Sequence, residues 1–370
     1  MYAKHLNTLT SLRFFAASMI VVLHMNGTFW KPVGIQGFAT GVSFFFVLSG
    51  FILRLVYGEL GTVDRVKRFY AARIARIWPT HLLSIVLLLA VTHDALPSWK
   101  VVIANVLLLQ SWVPHLYWYF SLNGVAWSIS TELFFYAVFP LLTWRLVRTW
   151  PIKVIATISG IAVCSLAYQI LRPENSDEAN LLLAGLLYIN PLARVFEFLV
   201  GMLAATLYLK VTPDIKGSTA VWTGMEIGAC ALVGLCISCA WPVSQALMPI
   251  APQAAEWVLQ SGSFWALALL IFIFAFGRGA LSVLLGKRPF VFLGEISFAV
   301  YMLHQIILRG MEEHLRGFIS AHSHAAATFF AIVTLAAAAA TFQYFERPIR
   351  NAVMRRLRRS NGIATEAVQT

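Results

Sequence analysis

The sequence predicts an all-α polytopic membrane protein. It has about ten transmembrane helices plus one short re-entrant or interfacial segment, and both termini are cytoplasmic. Three observations predict this. Of the 370 residues, 59% are hydrophobic and 12% charged, and a soluble chain of this length needs more polar surface to cover itself. A bilayer span needs roughly 20 mostly apolar residues. Ten such runs occur, at 6–25, 39–56, 78–92, 125–146, 152–172, 190–209, 219–241, 262–277, 290–308 and 325–345. Finally, basic residues concentrate in alternate loops, as they do in cytoplasmic loops.

The first run has only Lys4 and His5 ahead of it, is of full span length and precedes no small-residue cleavage pattern. It therefore reads as a span and not as a removed signal. With the N-terminus inside, the second run returns to the cytoplasm before residues 64–79, which carry Arg65, Lys67, Arg68, Arg73 and Arg76. The run "VVIANVLLLQSWV" at 101–113 is short for a span. If it crossed, "RLVRTWPIK" (145–153) and every later basic loop would face outside. If it does not cross, 145–153 is inside, the acidic "PENSDEAN" (173–180) is outside, and Lys210 and Lys216 are inside. Residues 242–262, which lack Lys and Arg, are then outside, and Arg278, Lys287 and Arg288 are inside. Loop 309–324 is outside, with Arg309 and Arg316 balanced by Glu312 and Glu313. The domain reading is one transmembrane unit over 1–350 and a tail over 351–370, basic and then disordered, with no internal repeat.

The net charge of +12 is assigned to basic loops, with no nucleic-acid partner. No P-loop is present, and no glycine-rich dinucleotide fingerprint joins a strand to a helix, which argues against ATP-driven or dinucleotide chemistry. Cys164, Cys230, Cys236 and Cys239 all lie in apolar segments. The Cys236–Cys239 pair reads as small residues packing in a helix, with no metal site expected.

Ionisable groups at membrane depth are costly, about 2.5–3.5 kcal/mol each on insertion scales, so they mark where function concentrates. Arg13 and His24 are eleven residues apart, which puts them on one helix face roughly 16 Å apart along the axis. From spacing alone, Arg13 snorkelling inward and His24 resting at the headgroups fits equally well. Ser43, Trp127, Ser128, Ser130, Glu132 and His304 fall near the outer ends of three other spans. Together with His24 they make the composition of a water-facing site, in which a histidine–carboxylate pair can deprotonate a hydroxyl. Glu132 as a hydrogen-bonded helix start, and His304 as a packing histidine, are the plainer readings. Arg73 and Arg76 share a helix face and suit phosphate, although a positive-inside anchor explains them too. Arg194 and Glu197 read as a buried structural ion pair. Glu226, flanked by Gly224 and Gly228, is structural or lines a passage; those glycines would permit close helix approach.

Seven stretches in order resemble the acyltransferase-3 family over about residues 6–350: "LTSLRFFAASMIVVLH", "GVSFFFVLSGFIL", "FYAARIARIWP", "AWSISTELFFYAVFP", "RVFEFLVGM", "LGEISFAVYMLHQ" and "FERPIR". One departure is visible. Thr131 and Leu133 flank Glu132, where many members carry a second acidic residue. The resemblance implies a multi-pass enzyme of the bacterial inner membrane that O-acylates, most often O-acetylates, surface or secreted carbohydrates. It implies that Arg13 and His24 form a functional pair with His24 catalytic, and that Arg73 and Arg76 handle the acyl donor. The expected scheme has acyl-CoA, most simply acetyl-CoA, docking from the cytoplasm on Arg73 and Arg76, with no permanently bound cofactor. The carbohydrate acceptor arrives from the outer side. Glu132 orients His24, and Ser43, Ser128 or Ser130 stabilises the oxyanion; Trp127 and His304 contact substrate. A transporter or flippase of a glycan or acyl donor is the competing class.

Overall fold

The computed structural model describes residues 3–93, 95–212 and 217–359. Among the described residues all regular structure is helical, apart from one isolated bridge, Asn26 to Trp30. In chain order the helices are α1 (Ala3–Met25), α2 (Thr40–Tyr57), α3 (Val63–Val91), α4 (Trp99–Val106), α5 (Leu116–Tyr119) and α6 (Trp127–Thr143). Then come α7 (Leu146–Leu171), α8 (Ser176–Ala184), α9 (Pro191–Val211), α10 (Thr219–Leu247), α11 (Pro252–Ser261) and α12 (Phe264–Phe274). The last five are α13 (Ala280–Leu285), α14 (Arg288–His314), α15 (Arg316–Ala321), α16 (Ser323–Thr341) and α17 (Arg347–Arg359). A π-helical turn joins α8 to α9, and another joins α16 to α17. Counting these joined pairs, and α11 with α12, as single units, ten segments are long and apolar enough to cross a bilayer. This matches the ten runs read from sequence.

Two boundaries differ from that reading. The third span begins at Val63, so the segment carrying Arg65 to Arg76 is helix and not loop, and Pro79 sits within it. The basic tail is helical through Arg359. Its expected disordered end, like Lys216, lies outside the described residues.

Residues 101–113 do not span. Eight residues of α4 and a 3-10 turn lead into a chain that re-enters the bundle. Non-helical backbone at this depth requires protein partners, and it has them. The Trp78 indole donates to Val106 O (2.9 Å), and His81 Nε2 bonds Asn105 O (2.8 Å). Ser130 Oγ donates to Leu108 O (2.6 Å), and Asn123 Nδ2 to Met302 O (2.9 Å). Ser130, expected at a substrate site, is thus a buried bracket for this segment, bonded also to Ser111.

The tightest crossing joins α2 to α9. A Cβ on Gly50 would overlap the carbonyl of Phe198, and one on Gly201 would overlap that of Val47, so the two backbones touch. Gly294 of α14 meets Thr10 of α1 in the same way. Gly224 and Gly228, the pair the sequence offered for close approach, have open space around them.

Glu226 resolves as structural. From α10 its carboxylate accepts the backbone N–H groups of Gly279 (3.1 Å), Leu281 (3.0 Å) and Ser282 (3.3 Å), together with the Ser282 hydroxyl (2.5 Å). It caps α13 in place of a local residue, satisfying donors that a helix start leaves orphaned. At the opposite end of the bundle His93 bonds Glu313, and His314 Nε2 donates to Val91 O (2.8 Å), tying the end of α3 to α14.

Two outcomes test this packing. Gly201→Leu should lower the thermal midpoint of the detergent-solubilised protein, or abolish its folded yield, because overpacking alone costs about 1–3 kcal/mol. Glu226→Ala should also lower the midpoint, by leaving buried N–H groups unpaired at about 1–3 kcal/mol each. An unchanged midpoint in either variant contradicts the assigned role.

Candidate active site

Two cavities among the described residues lie end to end in the bundle. The first, about 180 Å³, lies toward the end of the bundle that carries the basic start of α3. Arg13 of α1, Arg73 and Arg76 of α3, and Glu132 and Tyr136 of α6 line it, with Ser49 of α2. The second, about 580 Å³, lies toward the other end. His24 lines it, with Gln36, Trp127, Tyr188, Gln260, Gln305 and Arg309. Val42 and Tyr301 lie on the walls of both, so these two side chains form the partition between them.

Helical spacing builds the first cavity. Arg73 and Arg76, one turn apart on α3, present two guanidinium groups on one face. Glu132 and Tyr136, four apart on α6, meet through the Tyr136 hydroxyl, which donates to the Glu132 carboxylate (2.5 Å). Ser49 donates to the same oxygen (2.9 Å). Arg73 lies against the Tyr57 and Tyr136 rings, 5.4 and 5.9 Å from their centroids, and donates to the Tyr57 hydroxyl (3.0 Å). Its Nε is buried with no hydrogen-bond partner. Three guanidinium groups face one carboxylate in this lining, an excess of positive charge at low dielectric that favours an anion.

The second cavity is aromatic and amide-rich. Trp127 and Tyr188 pack edge to face, 4.5 Å between centroids. The side-chain oxygens of Gln36, Gln260 and Gln305 have no hydrogen-bond partner. Arg309 is held by Leu122 O (3.1 Å) at the end of the re-entrant segment. Behind His24 sits His304, fully buried, with its Nε2 3.0 Å from His24 Nδ1. The ring centroids are 5.1 Å apart.

At the partition the Tyr301 hydroxyl and the Ser128 hydroxyl hydrogen-bond each other (2.8 Å), and both reach Val125 O (3.1 and 3.0 Å). Ser128 lines the first cavity only.

The sequence-derived constellation is therefore divided. His24 and Trp127 share the second cavity, with His304 directly behind His24. Arg13, Arg73, Arg76, Glu132 and Ser128 share the first. The expected pairing of Glu132 with His24 is not formed: the carboxylate is held by Ser49 and Tyr136, and the imidazole is held by His304. Glu132 lies five residues along α6 from Trp127, about 7.5 Å along the axis. The partition puts it in the other chamber. Ser43 also departs from expectation and lines neither cavity. It is buried between Arg194, Glu197 and the Gln260 carbonyl, at 2.9, 3.1 and 2.6 Å. Arg194 and Glu197 form the expected buried ion pair, 3.1 Å apart and essentially unexposed. Sequence reasoning missed Tyr301, Tyr136, Ser49 and the three glutamines. Ser49, Tyr136, Tyr301 and Gln305 all lie inside the quoted stretches, but an aromatic or a serine in a span carries no signal unless the neighbouring helix is known.

The partition is testable by labelling. In a background lacking the four native cysteines, Ser49→Cys should be protected from a membrane-impermeant maleimide added on the His24 side. It should become labelled when Tyr301→Ala is added. Labelling without Tyr301→Ala contradicts the partition.

Comparison with known proteins places this architecture. Residues 6–342 match the acyltransferase-3 family, described as an acyltransferase domain. A Streptomyces mycarofaciens protein named acyltransferase MdmB is 28% identical over 97% of this chain and 94% of its own length. A Bacillus subtilis (strain 168) protein named "Putative peptidoglycan O-acetyltransferase YrhL" is 24% identical over 94% of this chain and 55% of its own length. No solved structure matches the chain.

Proposed function

The chain belongs to the acyltransferase-3 family, and on that premise we propose that it moves an acyl group from acyl-CoA to a carbohydrate hydroxyl presented from the other side of a bacterial inner membrane. The family match sets the transporter reading aside. The observation that carries the proposal is the pair of chemically different cavities meeting at Tyr301.

The basic end of the bundle faces the cytoplasm, since loops rich in Lys and Arg are retained there. The donor enters from that end. Arg73 and Arg76 bind its phosphates, because forked guanidinium groups form charge-assisted bonds with phosphate oxygens. Arg13 lines the same cavity and polarises the thioester. Acetyl is the simplest acyl group for so small a cavity, and the Bacillus subtilis relative is named for O-acetyl transfer.

The acceptor occupies the second cavity. Trp127 and Tyr188 offer flat apolar faces to a sugar ring, and the glutamine amides offer bonds to hydroxyls, the few placed polar groups that give such pockets specificity. His24 takes the proton of the attacking hydroxyl. The oxygen adds to the thioester carbonyl, and the tetrahedral oxyanion is met by hydroxyl donors at the partition, Ser128 and Tyr301. Collapse breaks the carbon–sulfur bond. The CoA thiolate leaves toward the cytoplasm with the proton returned from His24, and the ester leaves toward the outside. Glu132, held by Ser49 and Tyr136, supplies a negative charge that organises the arginine cluster, together with Glu346 near Arg13 and Arg76.

Two measurements check the scheme. His24→Ala should reduce CoA release from labelled acyl-CoA with acceptor present by about 10²-fold or more, the scale of general-base catalysis. Turnover equal to wild type would sink the base assignment. Arg76→Ala should raise KM for acyl-CoA by about 10-fold or more, the worth of one charge-assisted bond, with KM for the acceptor unchanged. A shift in the acceptor KM instead would put Arg76 in the wrong half of the reaction.

A further inference from the structure

His304 lines neither cavity, yet its ring hydrogen-bonds His24, which also meets the Ile20 carbonyl one turn back on α1. It is fully buried on α14. Its Nδ1 lies 2.7 Å from Tyr301 O and 3.2 Å from Val300 O. Both of those atoms are carbonyl oxygens, and a carbonyl only accepts. A bare lone pair at Nδ1 would face two others at close range, so Nδ1 carries the proton. A neutral imidazole then has its lone pair on Nε2, and this lone pair faces His24 Nδ1 at 3.0 Å. The consequence passes to the next ring: His24 must carry its proton on Nδ1 to complete the bond, which leaves His24 Nε2 bare.

We infer that His304 is a positioning residue that locks His24 in the tautomer whose Nε2 is the free base, through a relay from the α14 backbone carbonyls to the second cavity. The inference rests on the proposed base role of His24. It assigns to His304 the part the sequence had given to Glu132. The relay stays consistent through turnover. When His24 Nε2 takes the acceptor's proton, its Nδ1–H becomes a stronger donor toward the neutral His304 Nε2, which stabilises the imidazolium without a second charge in the membrane. Because both rings are held by α1 and α14, whose backbones touch at Gly294 and Thr10, the geometry is set by helix packing and not by a loop.

The test reads the tautomer directly. Nitrogen-15 NMR of histidine-labelled protein in lipid nanodiscs, with the His24 signals assigned by their loss in His24→Ala, should show protonated Nδ1 and bare Nε2 in the wild type. In His304→Ala the signals should shift to a mixture of the two tautomers, and kcat should fall by about 10²-fold or more with KM for acyl-CoA unchanged. His304→Gln, whose amide oxygen accepts the same bond, should restore part of the Nδ1–H signal and part of kcat. Protonated Nε2 in the wild type overturns the inference, as does an unchanged tautomer in His304→Ala. The base role itself is read separately from His24→Ala turnover, so failure of that role and failure of the relay are told apart.

Discussion

An ionised group in hydrocarbon costs several kcal/mol unless it finds a partner or water, and this cost sorts the polar residues of the chain. Arg194 and Glu197 neutralise each other and are sealed with Ser43. Arg54 on α2 is taken up by Thr143 and Thr206 (3.0 and 3.2 Å). Glu226 is consumed by three backbone donors. Arg13, Arg73 and Arg76 are different: they line a cavity with Glu132 as its carboxylate, and with Glu346 nearby the cations still outnumber the carboxylates. Charges that the fold has not neutralised mark the place where a ligand must do so.

The fold was legible where the signal is one-dimensional. Span number followed from run length, and the non-crossing of 101–113 followed from the sign of the loops after it. The buried Arg194–Glu197 pair followed from a spacing of three on one helix. What failed needed the azimuth of one helix relative to another. Gly224 and Gly228 formed a recognisable small-residue spacing but face open space, whereas Gly50 and Gly201, on different helices, make the close contact. Glu132 was placed level with His24, but it lies past Tyr301 in the cavity toward the basic end. His304 was placed near His24, but its role depends on two backbone carbonyls that no side-chain pattern reports.

On the proposed function, the two cavities let one enzyme serve substrates in two compartments. In the proposed reaction a cytoplasmic thioester and an external hydroxyl never share a solvent; the cationic chamber suits a phosphate-bearing donor and the aromatic one a sugar. The cavities meet at a valine and a tyrosine, so in the proposed reaction the reacting atoms can meet while the bulky parts of both substrates stay where they entered. The proposed transfer of a small acyl group asks for the local movement of Tyr301 off Val125 O.

The central claim is transfer across the partition, and its most direct measurement uses proteoliposomes of uniform orientation with acyl-labelled CoA on the face next to Arg73 and a carbohydrate acceptor on the face next to His24. The account predicts labelled ester on the His24 face and free CoA on the other, with no product when the two substrates are exchanged between faces. Labelled ester forming on the same face as the donor, or equal product in both arrangements, would contradict it.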